Sequence, residues 1–275
     1  MDKISTVLCT LNESRNLKKI FSNINFLLTQ NIEVVVVDGG STDGTIEGLH
    51  DYSDDIIIKR LEKKGLLSQR LEGIKACKNE IIFLYNADDI LINIDFDNLI
   101  NELMNMNVDG LQLRPVAPSN GNFWERSWTE YFKICTPIGH KLKVLGRPAL
   151  TYKNFFEHIS FPKENIFNED TYLKFEQERL YGKLDYRTSE QSITRYVPKS
   201  FYDNKLQFKR YGKSDAMVAD TPKKFFDLLY HSFIRVAIIR SLTLIFNMKP
   251  KYAAFTFLHG FFRGYALLLG KIPWK

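Results

Sequence analysis

Two groups of carboxylates follow runs of apolar residues in this 275-residue chain. Asp38-Gly39-Gly40-Ser41-Thr42-Asp43-Gly44 comes directly after four valines, Val34 to Val37, and Asn86-Ala87-Asp88-Asp89 comes after Ile81 to Tyr85. Adjacent Asp88 and Asp89 offer the hard oxygen ligands that Mg²⁺ or Mn²⁺ takes. Gly39, Gly40 and Gly44 let a backbone turn sharply and approach a ligand closely. Ser41, Thr42 or Asp43 can cap the next helix. Arg70 carries a planar fork of donors suited to a phosphate. Far downstream, Asn168-Glu169-Asp170 has the composition of a helix start, where acids are favourable against the helix dipole. Each piece has a plainer reading as well, since Gly/Asp/Ser segments are ordinary turns.

The elements that must position these residues can be read from apolar spacing. Ser5 to Thr10 is expected to be a buried strand. Asn12 or Ser14 can then cap a helix whose apolar face is Leu17, Ile20, Phe21, Ile24 and Leu28. Glu33 to Val37 is β-branched without alternation, as in a central parallel strand covered on both faces. A short helix after Gly44, a strand at Ile56 to Ile58, a helix over Leu66 to Cys77 and a strand at Ile81 to Leu84 complete a β-α-β-α-β-α-β order. That order predicts an α/β fold with a doubly wound, mainly parallel sheet flanked by helices. In such a sheet the carboxyl ends of the strands face the ligand crevice, so Asp38 and Asp88 fall on its rim.

Taken together, TLNE (Thr10 to Glu13), VDGGSTDGT, Arg70 before LEGIKA, NADD and NED resemble the signatures of the family-two glycosyltransferases of the GT-A fold. The resemblance runs in order over about the first 215 residues, and the joint pattern is far more specific than any single piece. It implies a GT-A, Rossmann-like catalytic domain and an inverting, nucleotide-sugar-dependent hexosyltransferase. By that resemblance Thr10, Asn12, Glu13, Asp38, Arg70, Asn86 and Asp88 would bind a UDP- or GDP-linked donor. Asp88 and Asp89 would hold Mg²⁺ or Mn²⁺ against the diphosphate as a Lewis acid. Asp170 would be the general base that takes the acceptor hydroxyl's proton. Gln207-x-x-Arg210-Tyr211 resembles the Q-x-x-R-W element of processive polysaccharide synthases, making Arg210 and Tyr211 candidates for acceptor or diphosphate contact, and Glu169 of the NED stretch is a further candidate. Asn86 departs from the usual D-A-D-D, keeping an oxygen but losing a charge. A nucleotidyltransferase of related fold and a nucleotide-binding scaffold are the alternatives. The first would want a glycine-rich phosphate loop near the first strand, which TLNESRN lacks.

The charge divides the chain. After Asp220 there are nine basic residues and one acid, Asp227, so this tail carries +8 of a chain whose net charge is +6. Residues 1–220 are therefore read as the catalytic domain and 221–275 as a basic helical appendage. Its apolar runs, Phe225 to Phe246 and Tyr252 to Leu269, are interrupted by arginines, which disfavours a clean membrane span. On a wheel Lys224, Asp227, His231 and Arg235 share one side, and so do Tyr252, Thr256, His259 and Arg263. A basic stripe beside a wide apolar face is expected of helices that lie on a membrane surface, with packing against protein as the competing reading. The aliphatic spacing between charges excludes a nucleic-acid partner. Three separated cysteines suit a reducing compartment, and MDKISTVLCT has no signal-peptide pattern. The expected location is the cytoplasmic face of the cell membrane, peripherally bound. The expected acceptor is a lipid-linked glycan or polyprenyl phosphate in cell-envelope polysaccharide synthesis.

Overall fold

The computed structural model describes residues 4–52, 55–61, 65–160 and 169–270. These residues form two compact units. One comprises Met1–Pro115, Ile138–Asn165 and Leu173–Arg195, the other Val116–Pro137, Ile166–Tyr172 and Tyr196–Lys275.

The first unit is built on a mixed sheet. Strands β1 (Ile4–Thr10), β2 (Glu33–Asp38), β3 (Ile57–Arg60) and β4 (Ile81–Leu84) pair in parallel in the order β3-β2-β1-β4. β5 (Asp89–Ile90), β6 (Gly110–Val116), β7 (Lys141–Leu142), β8 (Ala149–Tyr152) and β9 (Tyr186–Arg195) extend the same sheet. The order continues β8-β6-β9-β5, with β7 also on β9, and β4–β8, β6–β8, β5–β9 and β7–β9 are antiparallel. The valines of β2 are all buried, because a parallel strand between crossover helices has no wet face.

Four helices supply those covers: α1 (Leu17–Thr29), α2 (Thr45–His50), α3 (Leu66–Ala76) and α4 (Phe96–Met106). Ile20, Ile24 and Leu27 of α1 and Leu99 and Leu103 of α4 share one core with Leu8, Val34, Val36 and Phe83. On α1 the buried position is Leu27, while Leu28 packs at the edge of that core. Each fully buried side chain of this kind is worth about 1.5–3 kcal/mol relative to exposure. α3 approaches the sheet through Gly73, where a Cβ would lie 2.3 Å from Val7.

The second unit is helical: α5 (Phe123–Cys135), α7 (Phe201–Val218), α8 (Pro222–Tyr230), α9 (Ser241–Phe246) and α10 (Pro250–Leu268), together with the first residues of α6 (Glu169–Tyr181). His231–Arg240 joins α8 to α9 without a break through π-helical, i→i+5 hydrogen bonding. The core is aromatic, with Trp128, Tyr131, Phe208 and Phe255 in one cluster and Trp128 Nε1 donating to Asn204 Oδ1 at 2.7 Å. His259 stacks on Phe208 at 4.3 Å and is 2% exposed. Burial, with the Arg263 and Arg240 charges adding to it, holds this imidazole neutral by pushing its pKa well below the usual histidine value.

Two features of the tail bear on the sequence expectation. A boundary at 220/221 cuts through the second unit, since α7 before it and α10 after it pack directly on each other. The stripe of Tyr252, Thr256, His259 and Arg263 faces inward, the reverse of a surface helix, whereas in the stripe of Lys224, Asp227, His231 and Arg235 Asp227 is exposed and the others are half-buried. Arg263 forks onto buried Asp215 at 2.6 and 3.0 Å, Arg240 donates to Tyr131 Oη at 2.8 Å, and Lys249 pairs with Glu130 at 2.6 Å. Burial of a guanidinium is tolerable only with such partners, and α5 and α7 supply them.

Gly212 sets the α7–α10 crossing, because a Cβ there would fall 2.0 Å from the Arg263 carbonyl oxygen. Gly212→Ala is therefore expected to destabilise the protein by about 1–3 kcal/mol despite alanine's better helix propensity. Urea unfolding checks this, and a variant at least as stable as the parent would mean that the helices part without cost.

Candidate active site

The parallel half of the sheet brings its loops to one edge. Thr10 lies opposite Asp38 in the β1–β2 register, and Val7 lies opposite Leu84 in β1–β4. The loops after β1, β2 and β4 therefore emerge together, as the sequence pattern requires.

The first two loops are knitted by hydrogen bonds. Gly39 N–H donates to Thr10 O at 2.9 Å, Asn12 N–H to Ser41 Oγ at 2.8 Å and Glu13 N–H to Thr45 Oγ1 at 2.8 Å. Thr42 N–H donates to Asn12 Oδ1 at 3.0 Å, with Asn12 at φ 57°, a left-handed conformation that asparagine tolerates. Gln69 of α3 locks the pair from below, its Nε2 donating to Thr10 O at 2.7 Å and Val37 O at 3.1 Å. Asp43 rather than Ser41 or Thr42 reaches the start of α2, accepting from Thr45 N–H at 3.2 Å and, through its other oxygen, from Ser14 N–H at 3.0 Å. These bonds depress the Asp43 pKa far below the carboxylate range, Thr45 contributing most.

Asp38 is expected from the sequence as an acceptor for a base N–H, but its carboxylate is spent on the loop. It is fully buried. Oδ1 accepts from Gly40 N–H at 2.9 Å and Ser41 N–H at 2.8 Å, while Oδ2 accepts from Thr10 Oγ1 at 3.3 Å and from Ser41 Oγ. Its visible work is to shape the glycine turn. Glu13 is half-buried, and its Oε2 accepts from Asn16 Nδ2 at 2.6 Å.

The third loop is an acid turn held from two sides. Arg70, fully buried on α3, donates through Nη2 to Asn86 Oδ1 at 3.1 Å, and Asn86 N–H donates to Asp89 Oδ2 at 2.9 Å. Arg195, at the end of β9, grips Asp89 with Nε to Oδ1 at 2.6 Å and Nη2 to Oδ2 at 3.0 Å. Asp89, which the sequence reading expects beside Asp88 as a second metal ligand, is 0% exposed and anchored to Arg195 through both oxygens. A turn sets the two apart: Ala87 and Asp88 lie in it, closed by Asp89 N–H donating to Asn86 O at 3.0 Å, and β5 starts only at Asp89. Asp88 is turned the other way. Its side chain is 48% exposed, yet Oδ1 is itself buried, lies 4.0 Å from Arg195 Nε and has no hydrogen bond. Burial of that oxygen raises the Asp88 pKa, the Asp89 charge adds to the rise, and Arg195 opposes it.

Arg195 and Gln69 escape a reading by motif. Arg195 closes a polar strand, YRTSEQSITR, and its partner lies 106 residues earlier. Gln69 differs in that it stands beside Arg70, which could have drawn attention to it.

In the second unit, Glu169 and Asp170 open α6, with Glu169 buried and Asp170 half-buried. Asn168 lies outside the described residues. Arg210 and Tyr211 are on α7, where Gln207 Nε2 donates to Tyr211 Oη at 2.7 Å and the Arg263 guanidinium stands 5.7 Å from the Tyr211 ring. Tyr211 thus packs against the α10 cluster.

Comparison with known proteins bears on the whole arrangement. The chain is 37% identical over 90 residues to a dolichol-phosphate mannosyltransferase of Pyrococcus furiosus, a match spanning 31% of this chain and 26% of that protein. Its fold resembles that of the mannosyltransferase PcManGT from Pyrobaculum calidifontis in complex with GDP-Man and Mn²⁺, at 17% identity and a TM-score of 0.63, covering 97% of this chain and 87% of the other. It also resembles S. aureus TarS 1–349 in complex with UDP-GlcNAc, at 15% identity and a TM-score of 0.56, covering 97% and 92% of the two chains. The mixed α/β sheet with its flanking helices is thus of the GT-A type. The model of Glycosyl transferase family 2 matches residues 5–173, from the first strand through all three loops to Asp170, and the chain belongs to that family.

Proposed function

We propose that this family 2 glycosyltransferase moves a hexose, with inversion, from a UDP- or GDP-linked donor to a lipid-linked glycan or polyprenyl phosphate at the cytoplasmic face of a membrane. One observation carries the donor half: Asp88 presents a carboxylate with a buried, hydrogen-bond-free oxygen at the edge where β1, β2 and β4 end. The acceptor half is supported by the Pyrococcus relative, whose name specifies dolichol phosphate, and by the apolar C-terminal helices.

The residues present fit a divalent cation of the Mg²⁺ or Mn²⁺ kind. Among the described residues no cluster of three His, Cys, Asp or Glu side chains could enclose an ion. Mg²⁺ is ordinarily bound by one or two carboxylates completed by substrate phosphates and water, and Asp88 alone meets that need. Bound there, the cation would stabilise the charge gathering on the departing diphosphate. The chain's own residues do the rest. Asp89 and Arg195 hold the turn so that Asp88 keeps its position. The Asp38 loop, with Thr10, Asn12 and Glu13, shapes the nucleotide side, and Arg70 on α3 braces the third loop through Asn86. Asp170 takes the proton from the acceptor hydroxyl as that oxygen attacks the anomeric carbon from the face opposite the leaving nucleotide. Glu169, Arg210 and Tyr211 are the further groups proposed for acceptor or diphosphate contact.

The test is nucleotide binding by calorimetry, with and without Mn²⁺. Asp88→Ala is expected to weaken metal-dependent binding of GDP or UDP about 100-fold, whereas Asn86→Asp retains or strengthens it. Nucleotide binding indifferent to both metal and Asp88 would overturn the metal-assisted reading.

A further inference from the structure

We infer that the outward face of residues 222–246 and α10 docks on a lipid bilayer chiefly by burying apolar side chains, with Arg240 and Arg263 turned inward onto protein instead of being used at the lipid. This deepens the membrane placement proposed above and does not depend on the transfer chemistry.

The face is defined by what is exposed. From Tyr230 to Phe246 every exposed residue is apolar or aromatic, and from Ala254 to Leu268 the same is true of α10. Most polar side chains of the two stretches lie on the other side: Ser232, Ser241, Thr256 and His259 are buried, and Arg240 and Arg263 are bonded to Tyr131 and Asp215, while His231, Arg235 and Thr243 are half-buried at the border of the face. An ordinary amphipathic helix on a water-soluble surface shows the opposite arrangement.

The π-helical segment keeps this face continuous. Phe226, Tyr230, Ile234, Ile238, Leu242 and Phe246 are all exposed and repeat every four residues. On an α-helix of about 3.6 residues per turn such a row winds steadily around the axis. The i→i+5 bonding of His231–Arg240 rotates the chain less per residue, and so it offsets that drift. α10 carries its own row, Phe257, Phe261 and Tyr265, with successive rings stacked at 6.1 and 6.4 Å. The two rows join where Phe233 meets Phe261 at 6.3 Å, beside Gly264, whose missing Cβ leaves room for the Phe233 ring.

The composition of the face selects lipid as the occupant. Protein interfaces carry about one hydrogen bond per 100–200 Å². Within these two stretches the exposed residues offer side-chain hydrogen-bonding groups only on Tyr230 and Tyr265, phenols of the kind that sit at the boundary of hydrocarbon and headgroups. Lys223 and Lys251 are exposed at the helix starts, where they would meet anionic headgroups. Residues 222–246 form one helix long and apolar enough to cross a membrane, but only 33% of its apolar window is buried, unlike the core helix of a soluble protein. The inward partners Asp215, Tyr131 and Glu130 keep the other side on protein, so the helices lie along the bilayer rather than through it.

Flotation of the full chain with liposomes tests this. The protein is expected to float on vesicles of phosphatidylcholine alone as well as on vesicles containing phosphatidylserine, and to remain bound at high salt. Phe226, Phe246 and Met248 are 63%, 80% and 88% exposed and contribute little to internal packing, the Phe226 ring meeting Phe225 edge-on at 5.7 Å. The triple variant Phe226→Ser/Phe246→Ser/Met248→Ser should fold normally, keep nucleotide binding, and lose membrane partitioning at least 100-fold, at roughly tenfold per side chain. Binding only to anionic vesicles, abolished by salt, would overturn the inference in favour of charge-driven attachment. No flotation, with a dimer in light scattering that the triple variant dissociates, would assign the face to a second copy. Flotation that persists in a protein without transferase activity would leave the docking face standing and count against the proposed reaction alone.

Discussion

Arg195→Met will destabilise the protein by about 3–5 kcal/mol and depress sugar transfer along with it. The mutation leaves Asp89 buried without its partner, and breaking a buried pair costs far more than the pair's net contribution. The geometry argues for the upper range: both guanidinium contacts are short, at 2.6 and 3.0 Å, and the aspartate is 0% exposed against 13% for the arginine. Arg195→Lys should fall between, because an ammonium cannot reproduce the fork. In the double variant Arg195→Met/Asp89→Leu most of the stability should return while transfer stays low, since Asn86 N–H then loses its acceptor and the turn carrying Asp88 is no longer held. Urea unfolding and a turnover assay on the four proteins separate these effects. A loss below about 1 kcal/mol in the single variant would place the pair among ordinary surface ion pairs and remove the argument that it positions Asp88.

Asp170→Asn is expected to lower kcat by roughly 10²–10⁴ while leaving the donor's dissociation constant within about twofold. A general base acts on the acceptor's proton, so its loss should appear in turnover rather than in nucleotide affinity. Asparagine preserves the shape and the place at the start of α6 but cannot accept the proton. The split between the two readouts matters, because a helix-start residue with only a structural role would lower stability and both constants together. Near-normal transfer in Asp170→Asn would move the base to another residue, with Glu169 next to be tested.

Local pattern reached far into this fold. Val34 to Val37 could only be a doubly covered strand, and the β-α order before residue 90 follows from where apolar runs stop and glycines begin. The carboxylates at strand ends were legible for the same reason: a parallel sheet sends its carboxyl ends to one edge, and residues just beyond each strand must meet there. The short antiparallel strands were not legible. β7 is two residues long, and β9 is largely polar, so neither has an apolar signature of its own.

Tertiary structure decided how similar residues divide their tasks. Asp88 and Asp89 are adjacent and chemically identical, and only the approach of Arg195 from β9 makes one an anchor and leaves the other half exposed. Asp38 reads as a ligand contact, and only the folded loop shows that both of its oxygens also accept from Gly40, Ser41 and Thr10. In the tail, a helical wheel establishes that polar and apolar sides exist but not which of them faces water. That choice rests on Asp215 and Tyr131, placed on α7 and α5, whose bonds to Arg263 and Arg240 draw the charged side inward and leave the apolar side out. Sequence spacing records the period of a segment, whereas the partner that satisfies a buried charge comes from another element altogether.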